Sequence, residues 1–366
     1  MNCWQYYSKT LSTILWRPDP LIVPLRERVE RLIREHDLGI DSLDYPLGAA
    51  IPPELENPRT VVVRPGQAVD FGRCPGTHGH RCCNYLTLNL YAGCTLGCTY
   101  CIMQSYLRNR TLEVLVPGED QLDRILAVAR DNPGRTVRVG TGEVGDSLLY
   151  DPLFGLSQPL LERLQTVENV QFELKTKTDY VDHLPDARGN SSGLVLGFSL
   201  NPPKLIQEEE GWAVSLEERI SAAQRGVAKG YLPAFHFDPL ILHSGWRQAY
   251  RDVVERLALF RDTPPAWISL GTLRYPPTLR TAIEQRPYAL EEFVPAADGK
   301  MRYLQPLRSG MYRFMRDRLR EVLPTTPVYL CMESSVVWRN FMDSPVVPGL
   351  RPIMMPLSLA GTGRSG

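Results

Sequence analysis

The chain has 366 residues, of which 43% are hydrophobic and 22% are charged, a composition typical of globular proteins that excludes wholesale disorder. Its 41 basic and 41 acidic residues balance, so net charge indicates neither a nucleic-acid-binding nor a membrane-binding protein, although a local charged patch is not excluded. The first 16 residues lack a secretory signal, and no stretch has the roughly 20 apolar residues of a membrane helix. These features predict a cytoplasmic protein with no membrane partner.

The predicted elements begin with one helical pattern near Pro24 to His36, followed by loops rich in proline and glycine up to about residue 84. From Tyr85, short β-rich runs alternate with amphipathic helical runs. Strands are predicted at Tyr85 to Ala92, Thr136 to Glu143, Val170 to Lys177, Leu194 to Asn201, Ala234 to Leu242 and Trp267 to Arg274. Such alternation predicts parallel strands with right-handed crossovers, hence a partial or complete barrel or an open doubly wound sheet.

Cysteines are concentrated before and just after the first of these strands. Six of the eight lie between Cys74 and Cys101, and in a reducing compartment such a group favours metal binding over disulfides. The loop after the strand has the spacing C-x3-C-x2-C, formed by Cys94, Cys98 and Cys101. Three thiolates can bind three irons of a 4Fe-4S cluster and leave the fourth iron open. The alternative is a zinc site completed by His78, His80 or Cys83.

With Tyr100 in the aromatic position before the last cysteine, this loop resembles the signature of the radical S-adenosylmethionine superfamily. The resemblance implies that Cys94, Cys98 and Cys101 hold a 4Fe-4S cluster whose open iron chelates S-adenosylmethionine. It also implies reductive cleavage to a 5′-deoxyadenosyl radical, with an electron donor such as flavodoxin or ferredoxin. The implied fold is α/β, a partial (β/α)6 TIM-type barrel with an N-terminal extension and a C-terminal cap.

Between Tyr85 and Asn340 the chain resembles more narrowly the spore photoproduct lyase family, whose members repair a DNA photoproduct. The segments that carry this resemblance are Arg138 to Leu153, Phe172 to Leu184, Gly197 to Asn201, Ser215 to Tyr231, His236 to Pro239, Gly245-Trp246 and Gly271 to Arg274. The resemblance implies that Tyr100, Gly142, Glu143, Lys177, Ser199 and Asn201 bind the cofactor. Within this set, Thr141-Gly142-Glu143 resembles the superfamily's Gly-Gly-Glu motif, and Ser199 and Asn201 suit the ribose hydroxyls.

Two departures from the family pattern limit the prediction. The lyases place a hydrogen-donating cysteine where this chain has Glu143, and a radical-relay tyrosine where it has Ile102. The family's final hydrogen-transfer route is therefore missing, and the sequence predicts a lyase-like enzyme of undetermined substrate. Three interpretations of the remaining cysteines stay open, namely a second metal site, a substitute hydrogen donor and buried structural thiols. These cysteines are Cys74, Cys82, Cys83 and Cys331.

Two further features have alternative interpretations. The segment Lys300 to Arg320 holds seven basic residues and interleaved aromatics, which suits either phosphate contacts, including Arg308, Arg313 and Arg316, or a solvated helix face. His236 and Asp238 are either an acid–base pair at the barrel mouth or residues hydrogen-bonded within the core.

We therefore predict an N-terminal extension (1–84), a partial barrel (85–290), and a C-terminal cap and tail (291–366). The predicted function is radical S-adenosylmethionine chemistry on a DNA lesion or modified nucleotide. One alternative is the same chemistry on a small molecule or peptide. The other is a zinc-containing nucleic-acid-binding module without catalysis.

Overall fold

A computed structural model describes residues 1–366 except 47, 75, 77–78, 82, 108–109, 188–192, 284, 287, 289–292, 343–356 and 359–366. His78 and Cys82, named above as candidate ligands or thiols, and the tail from Gly361 to Gly366 lie outside the described residues. Among the described residues, no helix combines the length and the apolar character needed to span a membrane.

The described α-helices are α1 (Cys3–Thr10), α2 (Val23–Glu35), α3 (Met103–Tyr106), α4 (Glu119–Asp131), α5 (Asp151–Phe154), α6 (Ser157–Leu164), α7 (Pro203–Glu209), α8 (Leu216–Ala228), α9 (Trp246–Arg256), α10 (Arg280–Ile283), α11 (Gln305–Val322) and α12 (Ser335–Phe341). The described strands are β1 (Thr13–Trp16), β2 (Asp41–Asp44), β3 (Thr60–Pro65), β4 (Phe71–Arg73), β5 (His80–Arg81), β6 (Leu86–Leu88), β7 (Tyr91–Ala92), β8 (Leu112–Val116), β9 (Val137–Gly140), β10 (Val170–Thr176), β11 (Leu194–Ser199), β12 (Leu232–Leu240), β13 (Ile268–Thr272), β14 (Arg274–Tyr275), β15 (Phe293–Pro295), β16 (Met301–Tyr303), β17 (Val328–Leu330) and β18 (Glu333–Ser334). Short 3₁₀ helices lie at Pro53–Leu55, Ala68–Asp70, Leu257–Phe260 and Pro277–Leu279.

The larger sheet is a curled half-barrel with the order β17-β13-β12-β11-β10-β9-β6-β4. All of its neighbouring strands are parallel except β4, which runs antiparallel to β6. The predicted α/β half-barrel is therefore confirmed. Five of the six predicted strands correspond to β9, β10, β11, β12 and β13, whereas the predicted strand Tyr85 to Ala92 is divided into β6 in this sheet and β7 in a second sheet. The late strand β17 adds a further parallel strand beside β13. Since parallel strands end at the same edge, the polar residues that follow them meet at the barrel mouth.

Alternate residues of these strands share the inner face of the half-barrel. Arg138 on β9 lies among the rings of Tyr85, Trp267 and Tyr329, with its guanidinium carbon 4.0 Å from the Trp267 ring centroid. One layer closer to the mouth, Glu173 on β10 lies 2.6 Å from His236 on β12. The interior is therefore filled by polar and aromatic side chains in layers.

The structure of the N-terminal region differs from the secondary structure predicted for it. Residues before 84, expected to hold one helix and loops, contribute strands to a second sheet of order β2-β1-β3-β8-β7. The expectation was wrong because β1 and β2 have only four residues each, too few to show a periodicity. The helix α1, which precedes them, was also missed, whereas α2 lies where the helical pattern predicted it.

The C-terminal region contributes strands to the half-barrel sheet and to two small sheets. After β17, the strand β18 pairs with β5, so Ser334 lies opposite His80. Between β13 and α11, the strands β14, β16 and β15 form a small antiparallel sheet. The division of the chain after residues 84 and 290 stays a prediction.

Candidate active site

The three-cysteine loop follows β7 and is fixed from several sides. Cys94 is exposed, while Cys98 and Cys101 are partly buried. The Cys101 amide donates to the Cys98 carbonyl at 3.2 Å, which closes a turn between them. Next to Cys94, the Thr95 hydroxyl lies 2.5 Å from the Tyr6 hydroxyl of α1. The N-terminal region therefore holds the start of this loop in place.

The described residues contain no group of three or more His, Cys, Asp or Glu side chains placed to hold one metal ion. A closed zinc site built from the cysteine loop with His80 or Cys83 is thus not supported. In an iron–sulfur cubane each thiolate binds a different iron, so the thiolates need not converge on a point. The arrangement of Cys94, Cys98 and Cys101 is compatible with that requirement.

Beside this loop, three of the predicted cofactor residues meet at Glu210. The Lys177 ammonium lies 2.6 Å from the Tyr100 hydroxyl, 3.1 Å from Glu210 Oε1 and 3.6 Å from Cys98 Sγ. Asn201 Nδ2 donates to Glu210 Oε1 at 2.9 Å and to the Tyr100 hydroxyl at 3.2 Å. The Tyr100 hydroxyl also donates to Glu210. Residues from the loop and from the segments just after β10 and β11 thus form one polar network.

Glu210 and Arg219 complete this network, and the sequence analysis missed both. Arg219 Nη2 lies 2.5 Å from Glu210 Oε2, and both side chains are fully buried. Burial opposes the charge of Glu210, but the Lys177 and Arg219 cations lower its pKa to about 2. In sequence, Glu210 is the last of three consecutive glutamates, a pattern typical of a solvated helix end. The sequence feature that could have drawn attention to Glu210 was its position shortly before the capping box formed by Ser215 and Glu218.

Asp146 positions the strand end that carries Lys177. Its carboxylate accepts from the Lys177 amide at 2.7 Å and from the Thr176 hydroxyl at 2.7 Å. It also accepts from the amides of Leu148 and Leu149 at 3.0 Å. Burial nevertheless raises the pKa of Asp146 above its usual value. This buried acid was also missed, because nothing in its local sequence distinguishes it from a loop aspartate.

The other predicted cofactor residues lie around this network. Burial and the charge of Glu143 raise the pKa of Cys74 to about 12, while burial lowers the pKa of Lys175 and the charge of Glu143 raises it. A Cβ on Gly142 would lie 2.8 Å from Lys175 Cβ, so the turn before Glu143 packs closely on β10. At the end of β11, the Ser199 carbonyl accepts from Arg219 Nη1 at 2.8 Å. The structure thus brings Tyr100, Lys177 and Asn201 together at Glu210.

His236 belongs to the core and Asp238 to an ion pair at the mouth. His236 is hydrogen-bonded to Glu173 Oε1 and to the Ser269 hydroxyl, each at 2.6 Å. Asp238 pairs with Arg274 at 3.0 Å. Of the two interpretations of His236, the structure supports the one in which it is hydrogen-bonded within the core.

The structure also bears on the interpretation of the basic segment Lys300 to Arg320. Arg302, Arg308 and Arg316 are buried, and Arg302 and Arg308 form ion pairs with Glu333. Arg316 instead donates to the Phe341 carbonyl and pairs with Asp317 at 2.8 Å. Phosphate contacts by Arg308 and Arg316 were therefore a wrong prediction, because α11 packs this face against α12 and β18. Arg313 is exposed.

A family model for spore photoproduct lyase matches residues 77–269, more than half of the chain. The chain belongs to the spore photoproduct lyase family. This membership confirms the predicted family, which lies within the radical S-adenosylmethionine superfamily. The spore photoproduct lyase of Bacillus subtilis is 27% identical over 166 residues, 45% of this chain and 48% of that protein. That of Clostridium acetobutylicum is 25% identical over 207 residues, 55% and 58% of the two chains. The chain thus spans about half the length of the curated relatives it matches.

Solved structures of spore photoproduct lyase share the fold. One, complexed with dinucleoside spore photoproduct, has a TM-score of 0.71 at 21% identity and covers 87% of this chain and 98% of its own. A mutant lyase with bound AdoMet and dinucleoside spore photoproduct has a TM-score of 0.72 at 21% identity, covering 89% and 99%. These similarities confirm the half-barrel architecture.

Proposed function

We propose that this chain is a radical S-adenosylmethionine enzyme in which Cys94, Cys98 and Cys101 hold a 4Fe-4S cluster. We further propose that S-adenosylmethionine is bound by Tyr100, Gly142, Glu143, Lys177, Ser199 and Asn201. The observation that carries this proposal is the 3.6 Å contact between Lys177 Nζ and Cys98 Sγ, which joins the polar network to the cysteine loop.

The residues present suit both groups chemically. Three soft thiol ligands on one loop match an iron–sulfur cluster with an open iron. Next to them, the network offers an ammonium, an amide, a hydroxyl and a carboxylate within a largely buried volume. Such mixed donors and acceptors match the amino, carboxylate and ribose groups of S-adenosylmethionine. When bound, the cluster and this cofactor supply an electron and a 5′-deoxyadenosyl radical able to abstract a hydrogen atom.

The chain's own residues orient and shield this site. Glu210 holds the Lys177 ammonium in place, and Asp146 fixes the backbone of the same residue. The Tyr250 hydroxyl donates to Asn201 Oδ1 at 2.9 Å, so the Asn201 amide nitrogen is directed at Glu210 and Tyr100. The side chain of Lys177 is only 15% exposed, which limits access of water to the network.

The proposed substrate is a DNA lesion or modified nucleotide, with flavodoxin or ferredoxin as the electron donor. Support comes from solved spore photoproduct lyases, which bind dinucleoside spore photoproduct. The burial of Arg308 and Arg316 removes two of the three phosphate contacts considered from the sequence, which favours as second candidate a small molecule or peptide.

The test is anaerobic reconstitution with iron and sulfide, followed by measurement of cluster content and of 5′-deoxyadenosine released from S-adenosylmethionine. Cys98→Ala should lose both cluster and cleavage, whereas Cys3→Ala, which alters a cysteine of α1, should retain both. Lys177→Met and Asn201→Ala should keep the cluster but weaken cofactor binding about tenfold or more, roughly 1.4 kcal/mol. Lys204→Met, at an exposed lysine of α7, is the control. Cleavage by Cys98→Ala protein without a cluster would disprove the proposal.

A further inference from the structure

Four consecutive residues at the end of α7, Glu209 to Trp212, run alongside the loop that carries the cluster cysteines and are called here the clamp segment. The backbone of the clamp segment bonds the loop on both sides of its second cysteine. The Trp212 amide donates to the Leu96 carbonyl at 2.8 Å, and the Thr99 amide donates to the Glu209 carbonyl at 2.9 Å. These bonds pair the two stretches in antiparallel order, so the turn around this cysteine is fixed by residues distant in sequence.

The first residue of the clamp segment also anchors the loop through its side chain. The Glu209 carboxylate accepts hydrogen bonds from the Thr99 hydroxyl and, at 3.1 Å, from the Tyr288 hydroxyl. Arg286 pairs with the same carboxylate at 3.6 Å, and the Glu209 side chain is only 4% exposed. The loop is therefore tied to a buried acid whose other partners come from the segment after α10.

Glu210, the second residue of the clamp segment, connects it to the proposed cofactor residues. The Glu210 carboxylate lies 3.1 Å from the Lys177 ammonium, which in turn donates to Cys98 Sγ at 3.6 Å. Hydrogen bonds and positive charge at a cluster thiolate stabilise the reduced cluster and raise its reduction potential. The clamp segment thus acts on both partners of this contact, because its backbone places Cys98 and Glu210 places Lys177.

The close approach of the clamp segment to the loop requires glycine at position 211. Gly211 has a φ of +43°, and a Cβ there would overlap the Leu96 carbonyl oxygen and lie 3.2 Å from the Gly97 carbonyl oxygen. An alanine would therefore push the loop away from the clamp segment. Gly134 offers a comparison, since it has a φ of +71° but no described atom lies within 4 Å of a Cβ built there.

We propose that Gly211 and Glu209 are positioning residues that hold Cys98 within hydrogen-bond distance of Lys177 and thereby set the reduction potential of the cluster. The inference rests on the cluster proposed above. Both residues act through the Lys177–Cys98 contact rather than by touching iron or S-adenosylmethionine. A purely structural role would change the stability of the fold but not the potential of the cluster.

The test is the reduction potential of the reconstituted cluster, measured without S-adenosylmethionine by a redox titration followed by EPR. Gly211→Ala should shift the potential to more negative values, because the displaced loop separates Cys98 from Lys177. Lys177→Met should shift it in the same direction. The double variant should shift it no further than Lys177→Met alone, since both changes remove the same contact. Gly134→Ala should keep the wild-type potential, although it also places alanine in the left-handed region.

Glu209 provides a second variant for the case that Gly211→Ala does not fold. Glu209→Ala removes the acceptor of the Thr99 hydroxyl and should also shift the potential to more negative values. Glu209→Gln keeps an acceptor oxygen and should recover most of the wild-type value. Iron content and thermal unfolding show which variants are folded and loaded with the cluster.

An unchanged potential in the cluster-loaded variants of Gly211 and Glu209 would overturn the inference. Additive shifts in the double variant would overturn it too, because Gly211 would then act by a route other than Lys177. Loss of the cluster from folded Gly211→Ala and Glu209→Ala proteins would assign the clamp segment to cluster retention instead, against this inference. A wild type that holds no cluster would contradict the proposed function itself, and that outcome is distinct from the others.

Discussion

At the scale of single residues, the half-barrel interior depends on buried charges whose partners come from other strands. Glu173 receives a hydrogen bond from Tyr85, lies 2.6 Å from His236 and is near Lys175. Burial opposes its charge, yet His236, Lys175 and Tyr85 lower its pKa to about 2. Glu173 is therefore ionised in the folded chain at pH values where an unfolded glutamate is protonated.

This difference predicts a pH-dependent stability. Because the folded pKa lies below the unfolded value of about 4.5, the contribution of Glu173 is complete above pH 4.5 and is lost as the pH falls towards 2. It amounts to about 3 kcal/mol at most, by the usual conversion of pKa shifts. Urea unfolding across this range should show a steeper loss for wild type than for Glu173→Gln. Parallel profiles for the two proteins would contradict a charged, buried Glu173.

At the scale of elements, close packing of strands depends on glycines that face this interior. A Cβ on Gly197 of β11 would lie 2.3 Å from Glu173 Oε1 and 2.9 Å from His236 Nε2. Gly310 in α11 has free space around it instead, because no atom lies within 4 Å of a Cβ built there.

We therefore expect opposite effects on the stability of the fold when alanine replaces each of these two glycines. Gly197→Ala should destabilise the fold by about 1–3 kcal/mol through displacement of the buried pair. Gly310→Ala should stabilise it by about 0.5–1 kcal/mol, since alanine favours a helix interior. The measurement is chemical unfolding of both variants. Equal shifts in the same direction would show that Gly197 is not in close contact.

The helix α11 carries a buried arginine, Arg308, and an exposed arginine, Arg313, and we expect their substitution to have different effects on stability. Arg308 lies 3.0 Å from the fully buried Glu333, so Arg308→Gln should cost about 3–5 kcal/mol in unfolding free energy. Arg313 is exposed, and Arg313→Gln should leave stability within about 0.5 kcal/mol of wild type. If nucleic acid binds this face, the log–log salt slope of binding should change by about one unit in Arg313→Gln. Fluorescence anisotropy across a salt series measures the slope, and an unchanged slope would exclude Arg313 from the interface.

The individual elements also show which features of the fold and the site could be predicted from the sequence. The five barrel strands β9 to β13, the capping box of α8 and the spacing of Cys94, Cys98 and Cys101 are local patterns, and the sequence predicted them. The roles of Glu210 and Asp146 and the contact of Arg138 with Tyr329 depend on which distant segments become neighbours. The β-rich N-terminal region was missed because its strands are short, and the burial of Arg308 because a basic run shows charge but not packing.

At the scale of the whole molecule, strands cross the predicted segment limits. β8 lies between residues 85 and 290 but pairs with β3, and β17 lies beyond 290 but pairs with β13. A fragment of residues 85–290 should therefore deprive β6, β8, β13 and β14 each of a partner strand and be insoluble or unfolded. Expression and size-exclusion chromatography of the fragment, with the full chain as control, provide the test. A monomeric, folded fragment that binds iron and sulfide would contradict this prediction.

The pairing of β5 with β18 also sets an order of events during synthesis. A ribosome makes the cluster loop and most barrel strands before Glu333 and Ser334, the partners of Arg81 and His80, exist. Until then β13 also lacks its partner β17, so the edge of the half-barrel is open while most of its strands already exist. Contacts between residues so distant in sequence form slowly in folding. The sheet is thus completed only when the C-terminal region of the chain docks.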